Sequence, residues 1–162
     1  MRYVCEVVFV LGLLVMPFLA EPEKLETETL PPLSFEILRC RIHDVDTVMG
    51  DVALPWRTGL RNQSIRAEGF DGWEVDRSRS SSEPFKSFTP QQWDAEIAKG
   101  IAGRDALRKL AEGGVFYVEW NRLKENSAYS RLQGPFWVRT SSGRVVNVRK
   151  WAIANGHARD VE

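Results

Sequence analysis

One long helix bracketed by short strands is what this sequence most firmly imposes, and the helix marks its own start. Thr89-Pro90-Gln91-Gln92 puts a hydroxyl at the cap, a proline at the first helical position, where no amide donor is needed, and a glutamine three residues past the cap. Trp93, Ile97, Ile101, Leu107, Leu110 and Ala111 then recur at helical spacing and predict one apolar side, and Gly113-Gly114 ends the run. Gly100 and Gly103 each weaken the middle by about 1 kcal/mol relative to alanine, which leaves room for a break.

Three strands precede this helix. Phe35 to His43, Thr47 to Leu54 and Ser64 to Gly69 are rich in β-branched and apolar residues, with Gly50-Asp51 as a bulge or turn and Pro55 to Asn62 as a connection. Trp73 to Ser87, rich in Ser, Arg and Glu, reads as an exposed loop, and its Arg77-Ser78-Arg79-Ser80-Ser81-Ser82 run as a solvated segment. After the helix, Val115 to Trp120 and Pro135 to Arg139 are strands and Ser142-Gly143 a turn. Val145, Val148, Trp151 and Ala152 outline a short helix ending near Asn155-Gly156. Periodicity alone supports a small α+β domain with a curved antiparallel sheet.

The first 34 residues are organised differently. Residues 1–20 carry an apolar run from Val7 to Ala20, shorter than a membrane span of about 20 residues and suited to a signal-peptide core or an uncleaved anchor. Export is therefore expected, secreted, periplasmic or envelope-associated, with the membrane engaged only through an uncut leader. Residues 21–34 form an acidic, proline-containing tether, and the folded domain spans 35–162. That domain holds 20 basic and 17 acidic residues, a net charge of about +3 that permits a polyanionic ligand. Cys5 lies in the leader and Cys40 in a strand, so no disulfide framework is implied, and Cys40 reads as a small buried hydrophobe. His43 and His157 show no zinc-ligand spacing, and no phosphate loop, nucleophile elbow or dinucleotide fingerprint occurs. No obligate protein partner is implied.

Against this background one constellation stands out. Arg66, Asp71 and Glu74 stand at offsets zero, five and eight; Asp44-Val45-Asp46-Thr47 comes about twenty residues earlier, and Tyr129-Ser130-Arg131 about sixty later. In order and spacing this resembles the staphylococcal-nuclease-like (thermonuclease) family, whose pattern runs D-x-D-T, then R-x4-D-x-P-E, then Y-G-R. The resemblance covers roughly Leu38 to Ala158.

The resemblance implies a five-stranded Greek-key OB-fold barrel with a helix between strands three and four and a short helix after strand five. It also implies a calcium-dependent nuclease acting on single-stranded DNA or RNA. Arg66 and Arg131 would give forked, permanently protonated donors to the phosphoryl oxygens. Asp46, Asp71 and the main-chain carbonyl of Gly72 would ligate Ca2+, with Asp44 supporting Asp46 from behind. Glu74 would stand beside the attacking water as its base, and Tyr129 would contact a terminal phosphate or sugar. Trp137, Phe136 and Trp151 are aromatic enough to stack on bases but are better read as core.

The chain departs from the pattern at Val45 and Ser130, each in place of glycine, and at Trp73, in place of proline. It ends at Glu162, before the family's long C-terminal helix, so weaker nucleotide binding is expected. The alternative is a non-catalytic OB-type module binding nucleic acid or a protein partner at the envelope, which the substituted turns favour. Phosphodiesterase action on a small substrate is a third reading.

Overall fold

The computed structural model describes residues 27–56, 58–126 and 131–161. The element order is β1 (Ser34–Ile42), β2 (Thr47–Ala53), β3 (Gly59–Arg66), β4 (Phe70–Gly72), α1 (Pro90–Leu110) and β5 (Val115–Glu119). There follow β6 (Lys124–Asn126), β7 (Arg131–Gln133), β8 (Phe136–Arg139), β9 (Val145–Asn147), α2 (Val148–Ala154) and β10 (Ala158–Asp160), with 3-10 turns at Phe85–Ser87 and Trp120–Arg122.

Eight strands form one mixed sheet in the order β6-β7-β3-β2-β1-β5-β8-β9, antiparallel except where β7 runs parallel to β3. Only Gly134 and Pro135 separate β7, beside β3, from β8, beside β5, so the sheet curls strongly into a half-barrel. This corrects the expected five-stranded closed barrel. The chain is mainly β with two helices, and β10 pairs with β4 in a separate two-stranded ribbon. Strand alternation puts Ile37, Val48, Val52, Ile65, Val118 and Val138 inside, where α1 contributes Leu107 and α2 contributes Val148 and Trp151.

Gly50 sits within β2 beside shifts of register on both flanks, as the bulge expectation requires. A Cβ there would come within 2.6 Å of Ile37 Cγ2 and 2.7 Å of the Leu38 carbonyl oxygen. The third strand starts at Gly59, earlier than expected, and stops at Arg66. Strands of three residues such as β4, β6, β7 and β10 are too short to leave a periodic signal, and none was expected. Val145 lies in β9, not in a helix; α2 begins only at Val148, capped by Asn147 Oδ1 accepting from the Lys150 amide at 3.1 Å.

The long helix has the expected capping box. Thr89 Oγ1 accepts from Gln92 N at 3.3 Å, and the Gln92 side chain accepts from Thr89 N at 2.8 Å. It runs unbroken through both glycines. Its buried side is Trp93, Glu96, Gly100, Gly103 and Leu107, whereas Ile97 is only half-buried and Ile101 is exposed. Trp93 and Leu107 are buried as expected and Leu110 and Ala111 pack against the core, but Ile97 and Ile101 turn outward, because α1 meets the Trp73–Glu74 segment and the β1–β2 turn through its small residues, too closely for side chains at positions 100 and 103.

The folded body begins before residue 35. Glu28 N–H donates to Val145 O at 3.0 Å, the Glu28 carboxylate pairs with Lys150, and Leu33 O accepts from Trp120 N. This part of the expected tether is therefore docked; residues 1–26 lie outside the described residues. No helix among the described residues is long and apolar enough to cross a membrane. Phe136, Trp137 and Trp151 are buried, in keeping with a core role.

Cys40 is only half-buried, less than expected, and this partial burial still pushes its thiol up to about 12. At pH 8 only roughly one molecule in ten thousand then carries the reactive thiolate. In a Cys5→Ser chain, Cys40 should react with a disulfide reagent at least tenfold more slowly in buffer than in denaturant, and equal rates would contradict its burial.

Candidate active site

The β1–β2 turn is built to present one carboxylate. Thr47 O accepts from the amides of His43 and Asp44, at 3.0 and 3.3 Å, and the Asp44 carboxylate accepts from Asp46 N at 3.1 Å. Asp46 is thereby fixed, 3% exposed, with Oδ1 accepting from Thr47 Oγ1 at 2.7 Å and Oδ2 from Gly72 N at 2.8 Å. Its carbonyl accepts from Ala67 N at 2.6 Å, tying the turn to the end of β3. Val45 is fully buried and aimed at α1, where a Cβ on Gly103 would come within 2.8 Å of it. Its side chain thus anchors the turn in the core.

Register brings Arg66 to the same place. Arg66 lies opposite Thr47, and its Nη2 stands 2.9 Å from Asp46 Oδ2 while also pairing with Asp71 Oδ1. One guanidinium nitrogen therefore joins carboxylates from the β1–β2 turn and from β4. Pairing with β10 supports β4, with Arg159 opposite Asp71 and Ala158 opposite Gly72.

Glu74 follows two residues after β4 and is half-buried. Its amide donates to Glu96 Oε1 at 3.4 Å, and Glu96, buried on α1, is held by an ion pair with Arg159. Trp73 beside it donates from Nε1 to Gly156 O at 2.9 Å, and Arg159 and Lys99 lie 4.0 and 4.4 Å from its ring centre. The backbone here presses on α1, since a Cβ on Gly100 would lie 2.1 Å from Glu74 O and 2.6 Å from Trp73 O. Trp73 is thus held by Lys99 of α1, by Gly156 beyond α2 and by Arg159 of β10.

Arg79 completes the cluster, its Nη1 2.7 Å from Glu74 Oε1 and 3.5 Å from Asp71 Oδ1. Sequence reading missed it, along with Glu96 and Arg159. Composition gave Arg79 a solvated run, and only nonlocal contacts reveal the other two. Burial is the main force raising the Glu74 carboxyl above its usual range; the Arg79 charge opposes it, and Asp71 and Asp46 add to it. Burial, reinforced by Asp46, lifts Asp44 to about 8.

Arg131 lies on β7. Because Gln133 stands opposite Arg66, alternation puts Arg131 on the Arg66 face of the sheet, one pleat away. Tyr129 lies outside the described residues.

Among the described residues no group of three or more His, Cys, Asp or Glu is arranged to hold a metal. Asp46 and Asp71 nevertheless converge on one nitrogen, and the Gly72 main chain adjoins Asp46. Two hard carboxylates fit part of a calcium shell, whereas at Gly72 it is the amide that faces Asp46. A cavity of about 560 Å³ lined by Glu68, Phe70, Arg122, Phe136, Arg149 and Asp160 contains none of these groups. Its arginines are paired, Arg122 with Glu68 at 2.9 Å and Arg149 with Asp160 at 2.6 Å. Neither a family model nor a curated protein matches this chain.

Proposed function

We propose that the protein is a calcium-dependent nuclease of the staphylococcal-nuclease-like type, exported, and acting on single-stranded DNA or RNA. The observation that carries this reading is the meeting of Arg66 with Asp46 and Asp71, twenty-five residues apart along the chain at its extremes, with Glu74 one guanidinium away. The strand order β3-β2-β1-β5-β8, with β7 returning parallel to β3, supports an OB-type ancestry for the curled sheet.

In this reading Asp46, Asp71 and the Gly72 carbonyl hold calcium, which supplies charge relief to the phosphoryl oxygens when bound. Arg66 and Arg131, on one face of the sheet, bind the phosphodiester through paired donors and stabilise the negative charge that grows as water attacks. Glu74 accepts the proton of that water, and the 5′ oxygen leaves, giving 3′-phosphorylated products. Burial of Glu74 favours this role, because it raises the affinity of the carboxylate for a proton.

The alternative, a non-catalytic OB-type module for nucleic acid or a protein partner, draws on the same cluster. Its arginines already satisfy Asp46, Asp71 and Glu74, as a purely structural ion-pair network would. Digestion of single-stranded DNA by the purified chain separates the two. The nuclease cleaves with calcium and stops with chelator, whereas a binding module leaves the DNA intact and keeps its affinity in both.

A further inference from the structure

Arg79 belongs to an exposed serine-arginine run, yet it is folded onto the site. Its guanidinium carbon lies 4.8 Å from the centre of the Phe85 ring, and Phe85 is fully buried, edge-on to Phe88 and tilted against Trp93 at the start of α1. The Ser82 amide and hydroxyl both donate to Arg79 O at 2.9 Å, closing the loop beneath it. Its tip spans Glu74 and Asp71, while the side chain stays 37% exposed, so its outer donors face solvent. Arg66, by contrast, is tied to the buried Asp46.

We propose that Arg79 is a third phosphodiester-binding guanidinium, held on Glu74 and Asp71 until a phosphate draws it away, so that calcium and phosphodiester bind cooperatively. This rests on the nuclease reading and adds how its site fills.

Charge sets the sign of the coupling. Within the ion-pair cluster itself, leaving aside Arg131 one pleat away, Arg66 and Arg79 against Asp46, Asp71 and Glu74 leave one net negative charge. A divalent cation alone would turn that into one positive charge, and a phosphodiester alone into two negative ones. Both together restore neutrality. Each ligand therefore binds better in the presence of the other, by the same factor in either order. Contact geometry acts in the same direction. A donor on Asp71 Oδ1 competes with a cation for that oxygen, and a donor on Glu74 Oε1 competes with the water this carboxylate must activate. An arginine fork fits phosphate as well as carboxylate, so transfer from one to the other sacrifices no hydrogen bond.

The test is calorimetric titration of calcium into the purified chain, with and without a dithymidine phosphorothioate, for wild type, Arg79→Ala and Arg79→Lys. In the wild type the dinucleotide should tighten calcium binding about tenfold, within the range usual for coupled sites. Arg79→Ala should bind calcium alone severalfold more tightly, and the dinucleotide effect should shrink to about twofold or less. Arg79→Lys, which keeps the charge without the fork, should fall between, and it covers the case of an alanine variant that fails to fold. Calcium binding in the variants with wild-type affinity and wild-type coupling overturns the proposal alone. No calcium binding by the folded wild type overturns both the proposal and the nuclease reading.

Discussion

Arg66→Ala is expected to destabilise the protein in chelator and to recover much of that loss in calcium. Arg66 is the shared partner of Asp46, which is 3% exposed, and of Asp71. Removing one partner of a buried ion pair costs about 3–5 kcal/mol, because the other charge stays behind without solvent. Asp46 keeps donors from Thr47 and Gly72, so a loss of about 2–3 kcal/mol is expected, at or just below the low end of that range. In a chain of this size that lowers Tm by roughly 10 °C. A bound cation replaces the missing charge, and at about 100 times its Kd it adds about 2.7 kcal/mol. The calcium-induced rise in Tm should therefore be larger in Arg66→Ala than in wild type, since no guanidinium competes for the carboxylates. Thermal denaturation in chelator and in calcium decides it; a variant as stable as wild type in chelator would mean that the carboxylates do not depend on Arg66.

Gly100→Ala is the second large effect, and it runs against helix propensity. Alanine in the middle of a helix gains about 1 kcal/mol over glycine. Here the added Cβ would sit 2.1 Å from the Glu74 carbonyl oxygen and 2.5 Å from its carbon, both backbone atoms that no rotamer change can clear. Either α1 or the Trp73–Glu74 segment must move. Overpacking of this kind costs about 1–3 kcal/mol and occasionally more. The functional loss should exceed the stability loss, because Glu74 moves with its backbone and a displacement of about 1 Å is enough to cost about 100-fold in rate. Gly103→Ala meets the Val45 Cγ2 methyl at 2.8 Å, a side-chain atom, and should be milder. Denaturant titrations and DNA-digestion rates of both variants provide the comparison; a Gly100→Ala chain more stable than wild type and equally active would refute the close approach.

What the sequence disclosed follows the range of the interactions concerned. Thr89, Pro90 and Gln92 act on one another within a single turn, so the start of α1 could be read from four letters. Its inward face could be read only in part: Trp93 and Leu107 were legible, whereas Gly100 and Gly103 owe their burial to Glu74 and Val45, far away in sequence. Three-residue strands such as β4 and β10 exist through each other's hydrogen bonds, and neither has a period to detect. The closed barrel implied by resemblance gave way to an open, curled sheet in which Gly134-Pro135 breaks one strand into β7 and β8.

At the site, the motif supplied Asp46, Arg66, Asp71 and Glu74 as a set, and register with turn geometry accounts for their proximity. Arg79 was illegible because its neighbours are serines, and composition weighs neighbours in sequence rather than in space. Phe85, six residues on, was the local clue, since a fully buried aromatic ring inside a polar loop requires that loop to fold back.

The central claim is that Glu74 serves as the base of a calcium-dependent phosphodiester hydrolysis, and end-labelled single-stranded DNA tests it most directly. In calcium, the wild-type chain should release products ending in a 3′-phosphate, and Glu74→Gln should slow this by about 10²- to 10⁴-fold. The variant's Tm should stay near the wild-type value. No cleavage by folded wild type, or equal cleavage by Glu74→Gln, would contradict the account.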